Sequence, residues 1–342
     1  MSPSALRWTS HVALPAGVLA AIGLLEYGAG GRGALLVTLV FWTAIAQGSV
    51  AVVAVTDLTG ARWGSSVKRE LLVAAQLLPV LAALFLLLWP RLELYPWTAA
   101  PGRWLNRPFF MARGVALLLA AAVVARAFAR RSLRGAPETR PLAVAYLILF
   151  AACQTLVAFD WVMSLSYPWV SSMFGMYFSV EALYAGLAAA GLIVLSLDRD
   201  RREREPATWA AARRDLGLLQ FGFSVLWGGL FFAQFMLLWY GNLPEEVGFI
   251  AQRIAASPTR ELAVLFLAAC FGLPFIVFLS AGAKRSARAI GAVSVSILAG
   301  LIAEKLLLIL PAVPLHHGVL AAEILVLLGA WVGAARLQGG LE

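Results

Sequence analysis

Arg113, Asp160, Tyr177, Glu181, Tyr184, Glu304, Lys305 and Glu323 stand inside stretches that are otherwise apolar. A charged side chain in hydrocarbon is costly, so each must find a partner, turn to water or serve chemistry. Carboxylates at such depth suit proton chemistry, because an acid without a compensating cation can hold a proton and pass it on. Tyr177, Glu181 and Tyr184 fall at i, i+4 and i+7, on one face of a helix, which is the spacing a relay needs. Glu304 and Lys305 are adjacent, about 100° apart around a helix axis. They are expected to face different neighbours, with Lys305 snorkelling or meeting an acid of another helix. Arg113 is expected to neutralise or tune a neighbouring acid. The bland alternative is structural: buried ion pairs lock helices together and tyrosines simply pack.

Other chemistries find little support. The two cysteines, Cys153 and Cys270, lie apart in apolar runs, with no CxxC or CxxCH spacing. That argues against a disulfide framework, an iron-sulfur site or covalent haem within the chain. The histidines, His11, His316 and His317, stand at helix ends, where they cannot pair as axial ligands inside a bundle. No P-loop, HExxH or GxSxG occurs. No metal or cofactor is expected on this chain.

The elements that must position these residues are transmembrane helices. The 342 residues are 61% hydrophobic and 13% charged, with mean hydropathy +0.84; a soluble domain carries about 25% charge. Apolar blocks long enough for a core of roughly 30 Å recur along the chain. They predict an all-α polytopic protein in a single domain, 1–335, with a short tail, 336–342. The expected spans are about 12–26, 33–56, 70–89, 108–128, 141–163, 172–196, 215–240, 261–280, 288–310 and 317–335. The first is the weakest, short and closed by Glu26 and the glycine-dense GAGGRG; it is read as a retained helix and not a signal peptide. Gly186, Ala190 and Gly191 predict close helix packing. The segments 197–214 and 241–260 read as loops.

The net charge of +9 comes from short basic loops, which set topology and do not imply nucleic acid. Lys and Arg favour the side of the termini by roughly three to one, which places both termini in the cytoplasm. Trp89, Trp97, Trp104, Trp161, Trp169 and Trp239, with Tyr95, Tyr167 and Tyr240, collect at the other interface and are expected mostly to be headgroup anchors. Counting 1.5 Å per residue from that side places Glu181 roughly 15 Å deep, Glu304 roughly 10 Å, Glu323 roughly 9 Å and Arg113 roughly 8 Å, with Asp160 near the helix end.

The stretch FDWVMSLSYPWVSSMFGMYF (159–178) resembles a signature of the polysulfide-reductase-anchor (NrfD-like) superfamily. Within it, the stretch closely resembles the second NrfD-like membrane subunit of alternative complex III, the bacterial quinol:cytochrome c (or high-potential acceptor) oxidoreductase. LNRPFFMARGV (105–115), the run 214–249 ending in LLWYGNLPEEVGF, and LLLILPAVP (306–314) match in order. The likeness covers about residues 33 to 335. It implies a ten-helix fold of two four-helix bundles plus two extra helices, in the bacterial inner membrane. It also implies partners: a paralogous NrfD-like quinol-oxidising subunit, an iron-sulfur subunit, multi-haem and mono-haem c subunits, and lipids. Haem c and iron-sulfur clusters would sit in those partners, with quinone nearby or in the paralogue and no redox centre in this chain. Asp160, Asn242, Glu245 and Glu246 stand at matching motif positions, and Arg113 follows the NRPFF match. Glu304-Lys305 departs from the family's single aspartate, and Glu181 stands where the family favours a small or apolar residue.

The expectation is thus a proton-conducting and assembly subunit of a quinol-oxidising complex, with Asp160, Glu304 and Glu323 as outer carriers and Glu181 and Tyr177 as inner ones. Two alternatives are a purely structural anchor, in which Arg113 pairs with Asp160, and a stand-alone transporter.

Overall fold

The computed structural model describes residues 14–136 and 139–339, all helix and connecting turn. The extreme N-terminus with Arg7, His11 and the start of the first expected span, and the last residues of the tail, lie outside the described residues. Helices are named in chain order: α1 Leu14–Gly28, α2 Ala34–Thr59, α3 Lys68–Leu86, α4 Arg107–Leu133, α5 Thr139–Ser166, α6 Phe174–Arg204, α7 Pro206–Gly241 and α9 Thr259–Leu279. The remaining three are α8 Pro244–Ile254, α10 Ala287–Ile309 and α11 His317–Gly339. Among the described residues, nine of these are long and apolar enough to cross a membrane. The protein is a polytopic all-α membrane protein. The described part of α1, Leu14–Gly28, rises about 22 Å and overlaps the short first span expected at about 12–26.

The centre is α2, buried along its whole apolar window. It packs against α3, α5, α6, α10 and α11. Further contacts run α3 to α4, α4 to α5, α6 to α7, α7 to α9, α9 to α10 and α10 back to α6. The tightest approach is α2 on α6. A Cβ on Gly48 would sit 1.7 Å from the Ala182 carbonyl oxygen, and one on Gly186 would fall 2.5 Å from the Gly48 carbonyl. Only hydrogen fits between these backbones, as at other close membrane-helix crossings. Glu181, next to Ala182 at this crossing, faces α10 instead, where it meets Lys305.

Local sequence explains the other frames. Asn106 caps α4 by accepting from the Phe109 N–H at 3.0 Å, and Pro108 stands in the first turn, where its missing N–H costs nothing. Three helices carry a π-turn: α1 at Leu24–Gly28, α5 at Val157–Val162 and α9 at Ala268–Gly272. Such bulges release carbonyls from the helical ladder and often mark functional positions. Here the freed groups are used: the Trp161 carbonyl accepts from Tyr95 at 2.9 Å and the Cys270 carbonyl from Tyr184 at 3.0 Å.

Three expectations are corrected. The charged 197–214 stretch is helical almost throughout, α6 and α7 being interrupted only at Glu205. Its i,i+4 pairs, Arg199–Glu203, Arg201–Glu205 and Arg204–Asp200, keep the chain helical beyond the apolar span. The segment 241–260 is not a bare loop, since it holds α8. The aromatic belt is only partial: Trp89, Trp104, Tyr167, Trp239 and Tyr240 are exposed, but Tyr95, Trp97, Trp161 and Trp169 are buried. Tyr95 and Trp97 are buried because the 89–106 connection folds inward as short 3-10 turns, while Trp161 stacks on Phe85 and Trp169 on Phe249. Trp97 then reaches Ser164 of α5 at 3.1 Å.

Candidate functional site

Two groups of buried charge face each other across helix contacts. In the first, between α4 and α5, Arg113 Nε meets Asp160 Oδ2 at 2.5 Å. Asp160 Oδ1 accepts from Trp104 Nε1 at 3.1 Å, and Arg113 Nη1 donates to the Trp104 carbonyl at 2.6 Å. The guanidinium lies 4.5 Å from the Trp104 ring centroid and 4.7 Å from that of Phe109, a cation–π cover on its flank. The π-turn of α5 turns Asp160 into this contact, and the Asn106 cap fixes the start of α4. One acid meets one base, and both carboxylate oxygens are used.

The second group joins α6 to α10 at greater depth. Lys305 Nζ lies 2.5 Å from Glu181 Oε2 and 3.3 Å from Glu304 Oε2. The Tyr177 hydroxyl donates to Glu304 Oε1. The ammonium also sits 4.0 Å from the Phe178 ring centroid. Lys305, Glu181 and Glu304 are 0%, 1% and 3% exposed. The expectation that Glu304 and Lys305 face apart is corrected: the flexible lysine stem curls back so that its ammonium serves both the neighbouring carboxylate and that of α6. Lys305 does meet an acid of another helix, as expected, and it does not snorkel.

The stoichiometry gives this group its chemistry. Two carboxylates and one ammonium leave a net negative charge in a site without water access, and an unbalanced charge there is costly. The electroneutral form carries one proton shared among the carboxylates. Glu181 Oε1 has no hydrogen-bond partner among the described residues, so it is the oxygen free to receive that proton.

The other sequence candidates are placed apart. Tyr184 shares the α6 face but bonds to the Cys270 carbonyl, outside the charged group. Glu323 of α11 is buried and accepts from Thr38 of α2 at 2.7 Å; its other oxygen has no partner among the described residues. Asn242 closes α7 in the left-handed conformation, φ 45°, and is exposed. Glu245 and Glu246 lie in the first turn of α8. That motif is a helix stop followed by a helix start.

Sequence reasoning missed two buried charges. Glu26, read as the end of a weak span, is 0% exposed. It accepts from the Gly33 and Leu35 N–H groups at 3.1 and 3.4 Å and lies 3.7 Å from Arg91 Nε. The glycines after it are the signal: a Cβ on Gly31 would fall 2.0 Å from Glu26 Oε2, so the loop wraps the carboxylate. Arg253, read as a loop charge, is 4% exposed. It lies 3.5 Å from the Phe249 ring centroid and donates to the Ser166 hydroxyl at 3.2 Å and the Leu308 carbonyl at 3.0 Å. Burial pushes its guanidinium down to about 10, still charged at neutral pH. Its i,i+4 spacing from Phe249 was the available signal. Leu308 is one turn beyond Glu304, so Arg253 covers that end of the α6–α10 group.

Among the described residues, no cluster of three or more His, Cys, Asp or Glu has the arrangement of a metal site. Comparison with protein-family models finds no match, and comparison with curated proteins finds no relative.

Proposed function

We propose that this chain is a proton-handling, multi-pass subunit of a bacterial inner-membrane electron-transport complex, of the NrfD-like kind found in alternative complex III. The observation that carries the proton reading is the buried Glu181–Lys305–Glu304–Tyr177 group, two acids on one base. The electron-transport reading rests on the motifs at 105–115, 159–178, 214–249 and 306–314. The packing circuits α2–α3–α4–α5 and α6–α7–α9–α10 support the two-bundle arrangement which that resemblance implies. On this reading electrons pass through haem c and iron-sulfur partners and a paralogous quinol-oxidising subunit, both termini are cytoplasmic, and quinone is handled beside this chain.

The proton enters the group at Glu181 Oε1, is held between Glu181 and Glu304 under the field of Lys305, and leaves toward the α8 end by way of Glu304. Arg253 stands at that exit. A cation there opposes re-entry of protons by charge, as arginines do in selective pores.

Two measurements test this. Gentle purification from the native membrane is expected to bring haem c bands and an NrfD-like paralogue with the chain; a colourless, stable preparation of this chain alone overturns the electron-transport reading. In the assembled complex, E181Q and E304Q are expected to reduce proton release per turnover, and unchanged release would remove the proton role.

A purely anchoring role is favoured by one specific observation, the Arg113–Asp160 pair, which that alternative requires. We assign the pair to locking α4 on α5 and the α6–α10 group to proton holding.

A further inference from the structure

At the end of α6 and the start of α10, on the face opposite to α8, a cleft of about 480 Å³ is lined by Leu195, Asp198, Arg199, Arg202, Glu203 and Arg288. Its charges are not balanced within the protein. Asp198 is already spent: its Oδ1 accepts from Trp209 Nε1 at 2.8 Å and from Arg213 Nη1 at 3.0 Å. Glu203 lies 4.0 Å from Arg199 in an exposed i,i+4 pair. Arg202 and Arg288 are exposed, and neither forms an ion pair with a described residue. Three arginines and two carboxylates thus line the cleft, and with Asp198 paired to Arg213 and Glu203 to Arg199, the guanidiniums of Arg202 and Arg288 have no ion-pair partner among the described residues.

The cleft also has an apolar continuation. Leu195 and Val295 are 41% and 56% exposed on the same two helices, one turn and about two turns inward from Arg199 and Arg288 respectively. Leu195 lies against Gly291, where an added Cβ would fall 2.5 Å from its Cδ2, so the two helices close into a shallow valley just beneath the arginines. A basic cavity that opens along the membrane onto lipid-facing leucine and valine matches a molecule with an anionic head and an apolar body.

We propose that this cleft is a binding site for one anionic phospholipid, whose phosphodiester is held between Arg202 and Arg288 and whose acyl chain lies on Leu195 and Val295. Arginine suits the task, because its planar fork binds two phosphate oxygens at once. Arg199 contributes charge from the rim. The site is independent of the proton-handling group and of the role proposed for it.

Native mass spectrometry of the full chain in detergent tests the site. The probes are phosphatidylglycerol, phosphatidylcholine with the same acyl chains, and inorganic phosphate. The wild type is expected to retain phosphatidylglycerol roughly tenfold or more tightly than phosphatidylcholine. R202Q/R288Q is expected to bring the two lipids to the same level, while R130Q/R134Q, which removes equal charge elsewhere, leaves the preference intact. Millimolar phosphate is expected not to displace the lipid. An undiminished preference for phosphatidylglycerol in R202Q/R288Q, an equal loss of that preference in R130Q/R134Q, or displacement by phosphate would each overturn the proposal; the last would show a site for a free anion. The melting temperature controls for folding, and R288Q alone repeats the comparison if the double variant is unstable.

Discussion

At the α4–α5 contact one guanidinium meets one carboxylate, and both carboxylate oxygens have a donor. At the α6–α10 contact one ammonium meets two carboxylates, and an oxygen of Glu181 has none. Both groups bury opposite charges on facing helices, yet they lead to different behaviour. The first is neutral when fully ionised, so its lowest state needs no extra proton and has no use for one. The second is neutral only with a proton aboard, and that proton has more than one oxygen to sit on. Position strengthens the contrast. Arg113 is held among Trp104, Phe109 and Phe110 beside the 89–106 connection, whereas Lys305 is sealed at 0% exposure. A balanced pair fixes helices; an unbalanced, fully buried triad has the composition to hold a proton, which is the basis of the proposed role.

The strongest way to break the comparison is to remove the base from the triad. K305M leaves two carboxylates with no cation, so both must be neutral, and a loss of about 3–5 kcal/mol is expected, the size seen when one partner of a buried ion pair is removed. Thermal or denaturant unfolding in detergent measures it. A loss below about 1 kcal/mol would mean that water reaches the group and that it is not sealed.

The balanced pair should respond to a double substitution in a way the triad cannot. R113M strands Asp160 and is expected to cost about 3 kcal/mol, while R113M/D160L, apolar at both places, is expected to recover most of that loss. Stability of the two singles and the double completes the cycle. Additive losses would show that Arg113 acts through its aromatic cover and not through Asp160.

How much of this was legible before the fold was known follows from what each feature depends on. Spans and their intramembrane acids are local properties, so the apolar blocks and Asp160, Glu181, Glu304 and Glu323 stand out in the sequence. Pairing is not local. Glu181 and Lys305 lie 124 residues apart, and nothing along the chain says that α6 and α10 meet at that height. The Gly48–Gly186 crossing was half visible: Gly186 announced a close contact, but its partner on α2 did not. Glu26 and Arg253 were hidden by their settings, a weak short span and a polar connection, where a charge is normally solvated. Two rules misled: the preference of Trp and Tyr for the headgroup level did not hold for Tyr95, Trp97, Trp161 and Trp169, and adjacent residues on a helix point apart, but a lysine stem is long enough to bring its ammonium back to the neighbour.

A milder change sharpens the contrast. E304Q removes one acid and leaves the neutral pair Glu181–Lys305, so it converts the triad into a copy of the balanced group. Its stability is expected to stay within about 1 kcal/mol of the wild type, even though the residue is almost wholly buried. What should vanish is the protonated carboxyl: infrared spectra of the wild type are expected to carry a deuterium-sensitive C=O band that E304Q lacks. Retention of the band would place the proton elsewhere, with Glu323 the next acid to replace.

The smallest expected effect decides where the proton rests. Tyr177 donates to Glu304 Oε1, so that oxygen is engaged. Glu181 Oε1 has no partner among the described residues, so it is the oxygen open to the proton. Y177F removes only the hydroxyl, at a cost of about 1 kcal/mol. It frees Glu304 Oε1, so the proton then has a second unpartnered oxygen to sit on. The carboxyl infrared band is then expected to shift without losing intensity, and in the Y177F/E304Q double variant Tyr177 should no longer matter. An unshifted band in Y177F would mean that Lys305 alone sets the division of the proton between the two acids, and that the tyrosine does no more than fill the space between α6 and α10.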